Sequence, residues 1–175
     1  MKWNFIGEKT VLVAVPSLTR QVVAENPDGS IPTAPIPWKW GYMTPGWKGA
    51  PWAPISAYYI PRPVWVVEGY HQDPYYNYGK HTFYVDKELY IMVHKEVCNR
   101  AGEYWKHAPN FVSLAESKGG NNLLGWPQIM LIVDDRNHHA TASERVYKSG
   151  SSVYLPQSKL GPGFFTVSNL QLLSK

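Results

Sequence analysis

Cysteine is almost absent: Cys98 stands alone in 175 residues. No internal disulfide can form, so packing must hold the fold, and cysteine usage leaves the compartment open. No window approaches the roughly 18 apolar residues of a membrane-spanning helix. Charge is sparse as well. Asp, Glu, Lys and Arg make up 17%, against an ordinary share of about 25%. The formal balance is +4, yet no two basic residues adjoin; Lys39, Lys48, Lys80 and Lys95 each stand singly. Nucleic-acid binding needs such charge clustered on one face, so no nucleic-acid partner is expected. A strand-like pattern starts at Trp3 with no signal peptide before it. Either a cytosolic protein or a chain starting downstream of its natural beginning would read this way.

Reaction motifs are missing too. His138 and His139 adjoin, and neighbours in a strand point to opposite faces, so they make poor co-ligands. No HExxH or CxxC pattern accompanies them. His71, His81 and His94 would approach one another only if the strand register allowed it. Cys98, at a strand end, reads as a small apolar filler. The serines form no G-x-S-x-G, and 149–152 reads as a turn. Gly119-Gly120-Asn121-Asn122 lacks the Lys and Ser/Thr of a phosphate loop. Asp134 and Asp135 sit in a hairpin turn, where Asp bonds its own backbone. No nucleophile, base and orienter assemble. The expectation is a non-enzymatic protein with no catalytic residues, no metal and no cofactor.

What the chain does have is aromatic rings: 14% of residues, including 8 Trp, alongside 15 Pro. They concentrate in PIPWKWGYMTPGWKGAPWAP, from Pro35 to Pro54. This lies within a Pro-rich stretch, 26–63, that reads as one long loop, because proline removes a ladder donor and fixes φ. Disordered segments lack aromatics, so an ordered loop that packs its rings is expected. The rings of Trp38, Trp40, Trp47, Trp52, Tyr58 and Tyr59 would then cover a sheet face, line an apolar pocket, or form a docking surface. A sugar platform fits less well, since 35–54 holds no Asp, Glu, Asn or Gln for hydroxyls.

From Val64 the pattern becomes a β-meander over 64–147. Strands are expected at Val64–His71, Lys80–Asp86, Leu89–Val97, from Glu103, at Gln128–Val133 and at His139–Tyr147. Asn99-Arg100-Ala101-Gly102 suits a type I turn followed by a bulge, and 117–122 reads as a Gly-rich loop. Alternation puts Leu89, Ile91, Val93 and Val97 on one face. The other face is mixed and looks covered, with Trp65, Tyr84, Tyr90 and Met92 as candidate walls of a binding space. Before the meander, Trp3–Val15 reads as two short strands broken at Gly7-Glu8-Lys9, and Arg20–Ala24 as another. At the end, 164–173 reads as a strand leading to a short helix capped by Thr166 or Ser168. The whole, 1–175, is expected to be a single mostly-β domain.

One pattern goes further. Arg62, Val64, Trp65, Val66, Val67 and Glu68 match R-x-V-W-V-V-E. Tyr78, Lys80, Tyr84 and Asp86 follow in a Y-x-K-R-x-x-Y-x-D frame, with His81 where Arg is usual. Asn99, Gly102, Glu103 and Trp105 match a D/N-x-x-G-E-L-W turn. This resembles an uncharacterised Gram-negative family of outer-membrane lipoprotein-sorting-like proteins. The resemblance implies a LolA/LolB-like half-barrel, a curved antiparallel sheet with an apolar cavity, and carriage of a lipid or other hydrophobic ligand in the periplasm. It implies as partners a lipid and an outer-membrane or envelope protein. Family chains are longer and carry a signal peptide, so the resemblance points to a C-terminal portion or a short relative. A missing cavity wall would then come from an N-terminal half or from a second copy in a homo-oligomer.

Overall fold

The computed structural model describes residues 1–23, 27, 30–32, 38–117, 123–144, 152–154 and 161–173. In chain order they form β1 (Lys2–Val15), β2 (Gln21–Val23), β3 (Ser30–Pro32), β4 (Tyr58–Tyr70) and β5 (Tyr78–Asp86). Then come β6 (Met92–Asn99), β7 (Tyr104–Ser117), β8 (Leu123–Asp134), β9 (His139–Glu144), β10 (Ser152–Tyr154) and helix α1 (Val167–Leu173). The chain divides into two compact units, Met1–Val22 with Ile36–Val146, and Val23–Pro35 with Tyr147–Lys175.

The first unit is an open, curved antiparallel sheet in the order β1-β4-β5-β6-β7-β8-β9, with β2 pairing β7 beside this path. From β4 to β9 each strand pairs with the next in sequence, which is the meander the alternating pattern predicts. This is the half-barrel type of sheet that the resemblance implies.

Three local features differ from expectation. β1 is one strand of 14 residues instead of two. Phe5 lies opposite Val67 and Gly7 opposite Val66, so Ile6 is a bulged extra residue. Gly7 takes φ 142°, which side chains other than hydrogen rarely allow, and the ladder continues past it. Second, β4 starts at Tyr58, inside the segment read as loop, and carries Pro61 and Pro63 opposite Leu12 and Thr10. The Pro63 carbonyl accepts from the Lys87 N–H at 3.0 Å, so the backbone of Pro63 faces away from β1. Pro61, two residues earlier, faces the same way. Pairing with β5 begins only at Val64, so neither missing N–H is needed.

Third, the aliphatic residues of 89–97 do not share a face. A register shift between Tyr84 and Val85 brings Val93 to the side of Tyr84. Val97 instead lies opposite His81. The Asn99–Gly102 turn forms as expected. Gly102 has φ 82° and donates its N–H to the Asn99 carbonyl at 3.1 Å.

Two cores result. One gathers Val13, Val64, Val66, Val93 and Val112, with Leu89, Ile91 and Tyr84 against them. The other gathers Ala14, Trp38, Trp40, Phe111, Ile129, Leu131 and Val133. β1 supplies Val13 to the first and Ala14 to the second, and β7, which touches β1, supplies Val112 and Phe111, brought to the same side of the strand by the register shift between them. Beside the valine core, Asp86 is wholly buried and takes two hydrogen bonds from Arg62, at 2.7 and 2.8 Å. Asp86 Oδ1 also accepts the N–H groups of Glu88 and Leu89, each at 2.9 Å, and so shapes the β5–β6 turn.

In the second unit β3 and β10 pair antiparallel, Ile31 opposite Val153. A 3₁₀ turn, Pro162–Phe165, replaces the expected strand before α1. Thr166 caps the helix: its Oγ1 accepts the Asn169 N–H at 3.3 Å. The expected loop at 118–122, the end of the His139–Tyr147 strand and the serine turn at 149–151 lie outside the described residues.

Candidate functional site

The aromatic loop keeps an irregular path through its own hydrogen bonds. Gly41 N–H donates to Ala53 O, Tyr42 N–H to Pro51 O and Ile55 N–H to Lys39 O, all at 2.8 Å. A Cβ on Gly41 would lie 2.6 Å from the Ala50 carbonyl and 2.4 Å from the Trp47 ring, so only glycine lets these strands of loop close. Trp47 Nε1 then donates to Ala50 O at 2.9 Å. The fold of the loop brings Trp38 and Trp40 down on Phe111, edge-on, at 5.4 and 6.4 Å between ring centroids.

Beside this contact the loop, the end of β1 and strands β6–β8 enclose a cleft of about 310 Å³. That is at the lower end of ligand pockets, roughly 300–1,000 Å³. Val13, Ala14, Trp52, Pro54, Phe111 and Leu131 make apolar walls. Tyr59, His94, His107 and Asn110 are its polar lining. The two imidazoles lie 6.0 Å apart between ring centroids. Burial holds His94 below the usual histidine value; Glu96 works against this and His107 adds to it. Tyr104 Oη sits 2.6 Å from both His107 Nδ1 and Asp135 Oδ2. Burial and that carboxylate push the phenol up, so it stays protonated. Among the described residues no three His, Cys, Asp or Glu stand together as a metal set.

A family model described as a protein of unknown function, DUF1329, matches residues 1–171. The chain belongs to the DUF1329 family. No curated protein matches it. Among solved structures, it is similar to a domain from Vibrio parahaemolyticus that carries the name of an outer membrane lipoprotein-sorting protein. The identity is 17% and the TM-score 0.39, over 65% of this chain and 43% of the other. The matched part therefore spans less than half of that relative.

The aromatic residues singled out in this DUF1329 chain have separate fates. Trp38 and Trp40 are buried in the core, Trp52 and Tyr59 line the cleft, and Trp47 and Tyr58 are exposed beside it. Tyr84 packs against the valine core with its ring 5.3 Å from His94. Met92 contributes its carbonyl, which accepts from Asn110 Nδ2 at 2.5 Å. Trp65 and Tyr90 meet in a tilted contact, 5.8 Å between ring centroids, and do not line the cleft. Of the histidines, His71 and His81 meet, Nε2 to Nε2 at 3.0 Å. His94 joins His107 instead, because Tyr84 and His94 pair on the sheet face opposite to His81.

Sequence reasoning missed Val13, His94, His107, Asn110, Phe111 and Leu131 as one group. Their signal is tertiary. His107 lies opposite Glu96 and Val133, and Phe111 opposite Ile129, only through the β6–β7–β8 register.

Proposed function

We propose that this protein binds a hydrophobic ligand, a lipid or similar amphiphile, in the cleft under the aromatic loop, without catalysing a reaction on it. The observation that carries this reading is the cavity itself. Its walls of Val13, Trp52, Phe111 and Leu131 are apolar, and its polar side chains are few: Tyr59, His94, His107 and Asn110. Burial of an alkyl chain there gains about 25 cal/mol per Å² of apolar surface, with few polar contacts required. Among the described residues that line the cleft there is no Ser, Thr or Cys to act as a nucleophile beside His94 or His107. Carriage in the periplasm, with a cell-envelope protein as giver or receiver, belongs to the same proposal and is supported by the motif resemblance in 62–106.

The test is uptake of phenylnaphthylamine, a neutral hydrophobic fluorophore, by wild type and by Leu131→Trp, which fills the cavity. Wild type is expected to bind and the variant to lose most of the signal while keeping its β circular-dichroism spectrum. Equal binding by both removes the cleft from consideration.

A second reading has its own observation. Tyr42, Met43 and Trp47 at the loop tip are 67%, 56% and 42% exposed. Adjacent exposed apolar side chains of this kind suit a protein interface of the cell envelope. Pull-down of a partner that Tyr42→Ser/Met43→Ser abolishes, with fluorophore uptake unchanged, would support it.

A further inference from the structure

This inference stands on the tip of the aromatic loop and does not depend on what fills the cleft. Tyr42, Met43 and Trp47 are exposed there, and so are Lys39 and Lys48. The backbone beneath them is largely satisfied from within. The N–H groups of Gly41, Tyr42, Met43, Thr44 and Trp47 all donate to carbonyls of the loop itself, at 2.8 to 3.1 Å. Pro45 has no N–H to place. Trp47 Nε1 gives its proton to the Ala50 carbonyl. A segment whose donors are met internally loses little when water leaves it. Its fixed shape also spares the ordering cost of docking.

Charge separates the possible partners. Between Asp28 and Glu68 the sequence holds no acidic residue, while Lys39 and Lys48 flank the exposed side chains of the tip. Among the described residues, no ion pair or hydrogen bond brings a carboxylate to either ammonium. Arg62, the third cation of that stretch, is buried and held by Asp86. Tyr and Trp rings favour the boundary between lipid and water. Lysine stems lie along apolar surface and keep the ammonium at head-group level. Two positive charges beside exposed rings, with no acid among them, complement a negatively charged head-group layer.

We infer that the loop tip docks the protein on an anionic phospholipid bilayer, with Tyr42, Met43 and Trp47 at the acyl boundary and Lys39 and Lys48 among the phosphates. Ala50, Trp52, Ala53 and Pro54, which follow the tip, line the cleft. The docked tip therefore holds the cleft beside the lipid layer.

Flotation of the full chain with lipid vesicles is the test. One set holds phosphatidylcholine and phosphatidylglycerol in equal parts, the other phosphatidylcholine alone. Each lysine near an anionic surface contributes about fivefold to partitioning, so wild type is expected to bind the anionic set about 25-fold more tightly. Lys39→Ala/Lys48→Ala is expected to bring the two sets level. Tyr42→Ser/Met43→Ser is expected to weaken binding to both about tenfold. All four side chains are exposed, so neither variant should move the urea midpoint. Wild type that stays unbound by the anionic vesicles overturns the inference, and capture of an envelope protein through Tyr42 and Met43 then assigns the tip to that protein. Equal binding of wild type to both sets overturns it as well. So does an anionic preference that survives Lys39→Ala/Lys48→Ala, since the attraction then comes from charge elsewhere on the chain. Phenylnaphthylamine uptake measured without vesicles reads the cleft separately, so failure of one reading is distinct from failure of the other.

Discussion

Arg62→Met will strip the sheet of a large part of its stability. Arg62 is 7% exposed and Asp86 0%, and they are joined by two hydrogen bonds of 2.7 and 2.8 Å. Glu88 adds a third contact to the guanidinium at 2.9 Å, from a half-exposed position. Burial alone would raise the Asp86 carboxyl. The hydrogen bonds from Arg62 and from the Leu89 and Glu88 N–H groups outweigh it, and the group is held below the usual carboxylate value. Removing Arg62 leaves a buried charge with only those two backbone donors. Breaking a buried pair in this way costs about 3–5 kcal/mol. The surviving donors argue for the lower end, ~3 kcal/mol. Domains of this size have about 5–15 kcal/mol in total.

Urea unfolding followed by Trp fluorescence measures this. With a slope of about 1–3 kcal/mol per molar urea, the midpoint should fall by about 1–3 M. The pH dependence supplies a sign. A carboxyl with a depressed folded pKa stabilises above its unfolded value, about 3.9, and that stability is lost as pH falls through the lower folded value. In Arg62→Met the carboxyl is no longer held down, so it protonates sooner and the variant's deficit shrinks toward acid pH. Arg62→Met/Asp86→Asn should recover part of the loss, since Asn keeps an acceptor for the turn. A single-variant cost under about 1 kcal/mol at neutral pH, or a deficit that grows in acid, would refute the argument.

Two further outcomes test other parts of the fold. Burial first, then Lys95 and His71, lower the His81 imidazole to about 4. The unfolded chain takes up that proton near its ordinary value of about 6.5 and the folded chain does not, so stability should fall as pH drops from about 6.5 toward 4. His81→Phe should flatten that slope in urea titrations; an unchanged slope assigns it elsewhere. Phe111→Ala removes the ring beneath Trp38 and Trp40 from a position only 2% exposed. It should cost about 3–5 kcal/mol and blue-shifted Trp emission should move red as water reaches the indoles. A smaller loss with unchanged emission would mean the loop does not depend on this contact.

The alternating residues of 64–106 were enough to place β4 to β6, the start of β7 and the turn closed by Gly102, because side-chain period and turn chemistry are local. The run at 3–15 revealed a strand but not its continuity: whether Gly7 ends a ladder or bulges within it depends on Val66 and Val67 across from it. Pro61 and Pro63 argued for a loop, since a sequence does not say which side of a strand is left unpaired.

The site separates along the same line. Sequence by itself determined a mostly-β chain and a Pro- and Trp-rich loop that had to pack, because composition and spacing carry those facts. Only the tertiary structure decided which rings were core and which lined the cleft. Trp38 and Trp40 landed on Phe111, Trp52 beside the cavity, and Trp65 away from it, although all carry the same apolar surface. The pairing of His94 with His107 likewise follows from register shifts at Tyr84/Val85 and Val97/Cys98 and from the β6–β7 alignment. A one-residue shift in a strand sends a side chain to the other face, so no inspection of either histidine's neighbours in sequence could have placed them together.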